Sequence, residues 1–220
     1  MNNLKIKAAI FDMDGLLFDT ERLYVEGWKK AADEFGVEYQ PEFSAEVQGT
    51  SGEMMLDVIR KHYPGINVAA FRNYVLDYVE EITKDRVPMK PGVENFLIYC
   101  KQQGWKLGIG SNTSIDRVMA KLETSGIAGY FDVVVGGQEV RYGKPDPDIY
   151  LLTAQKLGEN PKDCYVFDDN AYGVEAGISA GCVTVMIPDL SKPTKEIEEK
   201  AAGIYDSLMA VKDAIEAGEI

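Results

Sequence analysis

Short apolar runs alternate with amphipathic helical patterns along most of this chain, and this alternation limits its possible folds more than any other feature. Such β-α-β-α order is typical of a parallel sheet with helices on both faces, so we predict an α/β fold. The predicted strands are Lys7–Phe11, Lys106–Ile109, Val133–Val135, Tyr165–Phe167, Val183–Ile187 and a short one around Gly203–Tyr205. The predicted core helices are roughly Gly92–Gln103, Ser114–Thr124, Asp148–Lys156, Tyr172–Ala180 and Ser207–Ala217.

One interval breaks the alternation, because residues 17–88 contain no strand pattern and read as amphipathic helices instead. An insertion of this length behind the first strand predicts a second, α-helical domain. We therefore predict a core formed by residues 1–16 and 89–220, and a helical insertion, or cap, formed by residues 17–88. The predicted helices of this insertion are Thr20–Phe35, Ser51–His62 and Ala69–Lys84.

Charge and composition exclude several classes of partner. The net charge is -13, with 36 acidic and 23 basic residues, which disfavours binding to nucleic acid. No apolar run approaches the length of a membrane span, and no signal peptide is visible. The cysteines are odd in number and lack CxxC spacing, which favours reduced thiols. We expect a cytoplasmic monomer that contacts neither nucleic acid nor a membrane.

Polar residues follow four of the predicted strands. Asp12-Met13-Asp14-Gly15 follows the first strand, and Ser111 with Asn112 follows the second. Lys144 lies in a Gly-Lys-Pro-Asp-Pro stretch after the third, and Asp168-Asp169-Asn170 follows the fourth. Because ligands of an open parallel sheet bind at the carboxyl ends of its strands, these side chains are expected to converge.

Each of these motifs also has a purely structural interpretation. Asp12-x-Asp14 could open a calcium loop, but the further ligands of an EF-hand are absent, so we reject this reading. Thr113 and Asn170 could cap the helices that follow them. The combination of four motifs in this order is far more specific than any one of them.

The combined pattern resembles the haloacid dehalogenase (HAD) superfamily of phosphotransferases. The similarity rests on Asp12-Met13-Asp14-Gly15, Ser111, Lys144 and Asp168-Asp169, and it spans the whole chain, including a helical insertion after the first motif. The nearest subfamily contains β-phosphoglucomutase, phosphoglycolate phosphatase and sugar-phosphate phosphatases. The resemblance implies a Rossmann-like, HAD-like core with an inserted α-helical cap.

The resemblance also implies a role for each matched residue. Asp12 would be the nucleophile that forms an aspartyl-phosphate, and Asp14 would be the general acid and base. Ser111 and Asn112 would bind the phosphoryl oxygens, and Lys144 would bridge the nucleophile and the phosphate. The implied Mg²⁺ ligands are Asp12, Asp14 through its carbonyl, Asp168 and Asp169.

The negative charges of these residues favour the binding of a cation. Two like charges about 4 Å apart at an effective dielectric of 20 repel by roughly 4 kcal/mol. Lys144 offsets only one of the four carboxylates, and hard oxygen ligands favour Mg²⁺. With its neighbours ionised, one acid could remain protonated, and we expect this of Asp14.

The sequence departs from the family pattern at three places. Asp168 replaces the usual glutamate, so it could bind a metal directly or through water. Tyr24 and Gly52 stand where β-phosphoglucomutases have a cap histidine and a cap arginine. Without that arginine a second phosphate would be poorly held, which favours a phosphatase over a mutase. The candidate substrate contacts of the cap are Glu21, Tyr24, Gln48 and Thr50.

Three functions are consistent with the sequence. The first is a Mg²⁺-dependent phosphatase that hydrolyses a small phosphorylated metabolite such as a sugar or polyol phosphate. The second is a hexose-phosphate mutase of the β-phosphoglucomutase type. The third is a phospho-accepting receiver module, which is disfavoured because receivers are about half this length and have no cap.

Overall fold

A six-stranded parallel sheet forms the centre of the protein in this computed structural model, which describes residues 5–220. The strands are β1 (Ala8–Phe11), β2 (Lys106–Ser111), β3 (Val133–Gly136), β4 (Cys164–Asp168), β5 (Val183–Met186) and β6 (Gly203–Ile204). Their order across the sheet is β3-β2-β1-β4-β5-β6. This order confirms the predicted Rossmann-like α/β fold.

Helices follow most of the strands and cover both faces of the sheet. In the core they are α5 (Val93–Gln102), α6 (Ile115–Thr124), α7 (Asp148–Leu157), α8 (Ala171–Ser179), α9 (Lys195–Lys200) and α10 (Leu208–Ala217). In the insertion they are α1 (Glu21–Glu34), α2 (Pro41–Val47), α3 (Gly52–His62) and α4 (Val68–Thr83).

The first strand is buried on both sides, which explains its unbroken apolar sequence. Ala9 and Phe11 pack into one hydrophobic cluster, whereas Ala8 and Ile10 pack into the cluster on the opposite face. All four side chains are fully buried. Because alternate residues of a strand point to opposite faces, two layers of helices are needed to cover them. The residue that follows this strand is therefore held on a rigid support.

The insertion has a hydrophobic core of its own. Trp28, Phe43 and Phe71 are buried there, and the rings of Trp28 and Phe71 stack with centroids 5.7 Å apart. The sequence-based expectation of three helices was incomplete, because α2 is a fourth. It spans only seven residues, which is too short for the 3.6-residue periodicity to be recognised.

Two chain segments connect the insertion to the core, and they lie side by side. The amide of Asp19 donates to the carbonyl of Pro88 at 2.8 Å, and the amide of Lys90 donates to that of Leu17 at 2.9 Å. Phe18 and Met89 form an antiparallel bridge. The division at residues 16/17 and 88/89 stays a prediction.

The sheet reverses its order of growth at β1. After β1 the chain adds β2 and β3 on one side, and then returns to add β4, β5 and β6 on the other. In open α/β sheets, ligands bind in the crevice at the carboxyl ends of the strands beside such a reversal.

No helix within residues 5–220 is both long and apolar enough to cross a membrane.

Candidate active site

The carboxyl edge of the sheet brings the predicted motifs together. Asp12 directly follows β1, and Ser111 is the last residue of β2. Asp168 is the last residue of β4, and Asp169 follows it. Lys144 lies in the loop between β3 and α7. Since β1 lies between β2 and β4, the residues after these strands share one crevice.

Lys144 joins two of the carboxylates. Its Nζ donates to Oδ1 of Asp12 and, at 2.9 Å, to Oδ2 of Asp168. The hydroxyl of Tyr150 donates to the same oxygen of Asp168, and the Tyr150 ring centroid lies 4.8 Å from Nζ. All four side chains are buried. A buried ammonium is stabilised only when it is paired in this way, so Lys144 and the two acids form one electrostatic unit.

Three carboxylates crowd one point of the crevice. Oxygens of Asp12, Asp168 and Asp169 lie within 4.8 Å of one another. Burial raises the pKa of Asp12 to about 7. The attraction of Lys144 opposes this increase without cancelling it, and the negative charge of Asp168 adds to it. Burial and the charges of Asp168 and Asp12 raise the pKa of Asp169 well above its usual range. The carboxylates outnumber the one ammonium, so this oxygen-rich cluster fits a hard divalent cation.

Asn170 holds both acids that follow β4. Its side-chain amide donates to Oδ1 of Asp168 at 3.0 Å and to Oδ1 of Asp169 at 3.2 Å. Its side-chain oxygen accepts from the amide of Gly173 at 3.1 Å, which confirms Asn170 as the N-cap of α8. The Asn170 side chain therefore both binds the two acids after β4 and caps α8.

Gly15 is the residue that allows the first motif to turn beside Asp169. Its φ of +85° lies in the left-handed region, and an added Cβ would lie 2.2 Å from Oδ2 of Asp169. Backbone conformation and space therefore both require glycine at this position.

Ser111 and Asn112 form a second polar wall. Ser111 is 3% exposed, and its Oγ accepts from the amide of Thr113 at 3.2 Å. Oδ1 of Asn112 accepts from the backbone amide of Lys144 at 3.0 Å. Nδ2 of Asn112 is buried and has no hydrogen-bond partner within residues 5–220. A buried donor without a partner is costly, so an anionic ligand at this wall would be stabilised by it.

Asp14 is bound by a separate set of donors. Its Oδ1 accepts from Thr20 at 2.6 Å and from Nζ of Lys121, and its Oδ2 accepts from Thr113 at 3.0 Å. The hydroxyl of Thr113 therefore binds an acid and does not cap α6, whose N-cap Ser114 makes no side-chain cap bond. The two aspartates of the first motif have different lysine partners.

This environment reverses the expectation that Asp14 remains protonated. Burial would raise the pKa of Asp14, but attraction to Lys121 and hydrogen bonds from Lys121, Thr20 and Thr113 together lower it below its usual value. In the described conformation Asp14 is a carboxylate, whereas the pKa of Asp12 is raised. The sequence-based argument failed because it contained no cation beside Asp14.

A cavity of about 220 Å³ lies between this crevice and the insertion. Asp12, Asp14, Ser111, Asn112 and Lys144 line it on the core side. On the insertion side, the lining includes both polar and apolar residues, among them Trp28, Ser44, Met55, Arg72 and Leu76. A small ligand in this cavity would contact both parts of the chain.

All four candidate substrate contacts of the insertion line this cavity. Glu21, Tyr24, Gln48 and Thr50 are among its walls. However, Oγ1 of Thr50 already donates to the carbonyl of Val47 at 2.5 Å. Burial and the charges of Asp14 and Asp12 raise the pKa of Glu21 to about 8. The protonation of Glu21 thus depends on its burial and on the charges of the first motif.

Several site residues were missed by sequence reasoning. Arg72 and Leu76 are four residues apart in α4 and reach the cavity together, as expected for one helical face. Tyr150 was part of an apparent helix face, and only the structure places its hydroxyl on Asp168. Lys121 interrupts the apolar face that Val118 and Leu122 form on α6, and a charge in such a position was a visible signal.

A family model described as haloacid dehalogenase-like hydrolase matches residues 6–181 of this chain. The chain belongs to the haloacid dehalogenase-like hydrolases. It is therefore an enzyme of the HAD hydrolase family, as the four motifs predicted, and its relatives include named phosphatases.

Two curated relatives of the HAD hydrolase are phosphatases. A phosphorylated carbohydrates phosphatase from Thermotoga maritima is 31% identical over 98% of this chain and 93% of its own length. A fructose-1-phosphate phosphatase from Escherichia coli is 29% identical over 79% of this chain and 92% of its own length.

A solved structure of β-phosphoglucomutase from Clostridium difficile has a similar fold. It superposes with a TM-score of 0.80 and 26% identity, covering 97% of this chain and 96% of the other. The relatives of this hydrolase thus include enzymes named for both phosphatase and mutase chemistry.

Proposed function

We propose that this hydrolase is a Mg²⁺-dependent phosphatase that cleaves a small sugar or polyol phosphate through an aspartyl-phosphate. The observation that most directly supports this proposal is the buried Asp12–Lys144–Asp168 cluster. A second aspartate, Asp14, lies two residues beyond Asp12 and is bound by different donors. One carboxylate can then act as nucleophile while the other transfers protons.

In the first half-reaction, a carboxylate oxygen of Asp12 attacks the phosphorus atom of the ester. A bond forms between phosphorus and Asp12 as the bond between phosphorus and the ester oxygen breaks. Asp14, a carboxylate in the described conformation, takes up a proton from solvent before this step and passes it to the departing ester oxygen. Lys144 offsets negative charge at Asp12, and the buried amide of Asn112 offers a donor to a phosphoryl oxygen.

In the second half-reaction, water attacks the phosphorus atom and Asp14 accepts its proton. The bond between phosphorus and Asp12 then breaks, and inorganic phosphate leaves. Asp14 begins this step as a carboxylate, the form that its lowered pKa favours. The covalent intermediate divides one difficult displacement into two easier ones.

The residues that would hold Mg²⁺ are Asp12, Asp168 and Asp169, together with the backbone carbonyl of Asp14. The buried oxygens of the three carboxylates converge within 4.8 Å, and hard oxygen donors suit this ion. When bound, Mg²⁺ would neutralise charge and allow an anionic carboxylate to meet an anionic phosphate.

Residues 17–88 would act as the cap that excludes water and selects the leaving group. The cavity of about 220 Å³ suits a small metabolite, and Glu21 and Gln48 offer polar contacts for hydroxyl groups. The relatives named for phosphorylated carbohydrates and for fructose 1-phosphate support a sugar-like substrate.

A panel of phosphate monoesters tests this proposal directly. Purified protein should release inorganic phosphate from several sugar and polyol phosphates with Mg²⁺, and activity should disappear with EDTA and return with added Mg²⁺. If no ester of a broad panel is hydrolysed in Mg²⁺, the phosphatase proposal is wrong.

Magnesium is expected to stabilise the protein more at pH 8 than at pH 5.5. The folded-state pKa of Asp12 is raised to about 7, so its contribution to stability is present at low pH and is lost as the pH rises through 7. Mg²⁺ needs the ionised carboxylates, which are already available at pH 8. Thermal unfolding midpoints measured with EDTA and with Mg²⁺ at both pH values check this.

Asp12→Asn is the control for this pH dependence. The amide does not titrate, so the metal-free midpoint should fall less between pH 5.5 and pH 8 than it does in the wild type. An equal Mg²⁺ shift at both pH values in the wild type would argue against metal binding by these carboxylates.

A second candidate, a hexose-phosphate mutase, is favoured by Arg72. Gly52 does not supply a cap cation, but Arg72 lines the same cavity and forms no ion pair within residues 5–220. It could attract a second phosphate. Incubation with β-glucose 1-phosphate and a trace of the bisphosphate separates the two functions. Glucose 6-phosphate formed faster than free phosphate would establish the mutase.

A further inference from the structure

Lys121 is a buried cation that the proposed reaction leaves unused. It lies on α6 between Val118 and Leu122, which are both fully buried, and is itself 7% exposed. Burial of an ammonium is costly, and replacing a buried ion pair by apolar residues is often neutral or stabilising. The packing of α6 alone therefore does not explain a charged residue at this position.

Asp14 is the only acidic partner of Lys121 within residues 5–220. Nζ of Lys121 donates to Oδ1 of Asp14. Nζ also lies 5.6 Å from the ring centroid of Tyr24, which belongs to α1 of the insertion. Lys121 thus contacts both the acid of the first motif and an aromatic ring of the insertion.

The donors to Asp14 come from three separate segments. Thr20 precedes α1, Thr113 follows β2, and Lys121 is the seventh residue of α6. Donors from three directions leave the carboxylate little freedom to rotate. Within the described residues, Asp14, Thr113 and Tyr24 line the cavity and Lys121 does not, so Lys121 can act on a substrate only through a neighbour such as Asp14 or Tyr24.

We propose that Lys121 is a positioning residue that fixes the carboxyl group of Asp14 for proton transfer to the departing ester oxygen, with the Tyr24 ring closing the clamp from the insertion. This inference rests on the proposed phosphatase function. A misplacement of about 1 Å can reduce a rate about 10²-fold, so the orientation of Asp14 is worth fixing.

Lys121→Met and Lys121→Arg test this role on two substrates. One is a sugar phosphate, whose alkoxide leaving group needs a proton, and the other is p-nitrophenyl phosphate, whose leaving group departs without one. For Lys121→Met we expect kcat on the sugar phosphate to fall by about 10- to 100-fold with KM nearly unchanged. The loss on p-nitrophenyl phosphate should be smaller, and Lys121→Arg should restore much of kcat.

A double-mutant cycle with Asp14→Asn keeps the test valid if Lys121→Met alone folds poorly. The double variant contains no unpaired carboxylate at this position, and its kcat should equal that of Asp14→Asn if Lys121 acts through Asp14 and not through Tyr24. A further loss in the double variant, or an equal loss on both substrates in Lys121→Met, would overturn the inference.

The inference and the proposed function fail in different ways. If the wild type hydrolyses phosphate esters and Lys121→Met matches it on the sugar phosphate, only the positioning role is wrong. If the wild type releases no phosphate from either ester, the proposed function is wrong, and the role assigned to Lys121 is wrong with it.

Discussion

An Asp12→Asn variant is expected to lose phosphate release by about 10⁴-fold or more, because the loss of a covalent nucleophile has effects of this order. The carboxamide has almost the same size as the carboxylate, but its oxygen is a far weaker nucleophile. It also removes one negative charge beside Lys144 and Asp168, so the anionic substrate should bind no more weakly on electrostatic grounds. The expected result is a folded protein that binds phosphate and does not turn over.

Steady-state kinetics and binding of inorganic phosphate in saturating Mg²⁺ measure both halves of this expectation. Asp213→Asn is the matched control, since the same substitution is made in α10 at a side chain that is 75% exposed. It should retain full activity. An Asp12→Asn variant with more than about one hundredth of the wild-type kcat, free of contaminating wild type, would remove Asp12 from the nucleophile role.

The parts of the site that could be predicted from sequence are those fixed by strand ends. A short apolar run such as β1, repeated along the chain between helical patterns, predicts a buried strand of a sheet, so the acid after it is expected at the sheet edge. The same reasoning placed Ser111, Lys144 and Asp168 around one crevice, and the structure brings the carboxylates of Asp12 and Asp168 onto one lysine. Topology alone supplies this information, because parallel strands end on the same side.

Contacts between side chains of distant segments could not be predicted in this way. Lys121 and Asp14 are 107 residues apart, and their pairing depends on how α6 packs against the loop after β1. The pKa of Asp14 follows from that pairing, so an argument that considered only the acids gave it the wrong direction. The short helix α2 was missed for a related reason, since tertiary packing of Phe43 stabilises it more than its local sequence does.

A Lys144→Met variant is expected to lose both activity and stability. Methionine has a similar length but no charge, so Asp12 and Asp168 would be left buried without their shared cation. Removing one partner of a buried ion pair costs about 3–5 kcal/mol of unfolding free energy. Removal of one donor that stabilises the reacting charge reduces kcat by about 10²–10³-fold. Chemical denaturation in EDTA and steady-state kinetics in Mg²⁺ measure the two effects separately.

Acid should rescue the stability of Lys144→Met, and this separates an electrostatic loss from a packing defect. Without Lys144 the folded-state pKa of Asp12 rises further above its unfolded value, so the protonated protein is stable at low pH and loses stability as the pH rises. The difference in unfolding free energy from the wild type should therefore be smaller at pH 5.5 than at pH 8. Asp12→Asn combined with Lys144→Met should recover part of the loss.

Lys101→Met is the control, because it breaks a 2.7 Å ion pair with Asp132 whose partners are 35% and 46% exposed, and such pairs contribute about 1 kcal/mol or less. A loss in Lys144→Met that is equal at both pH values would mean that the side chain of Lys144 fills space and does not balance the charge of Asp12.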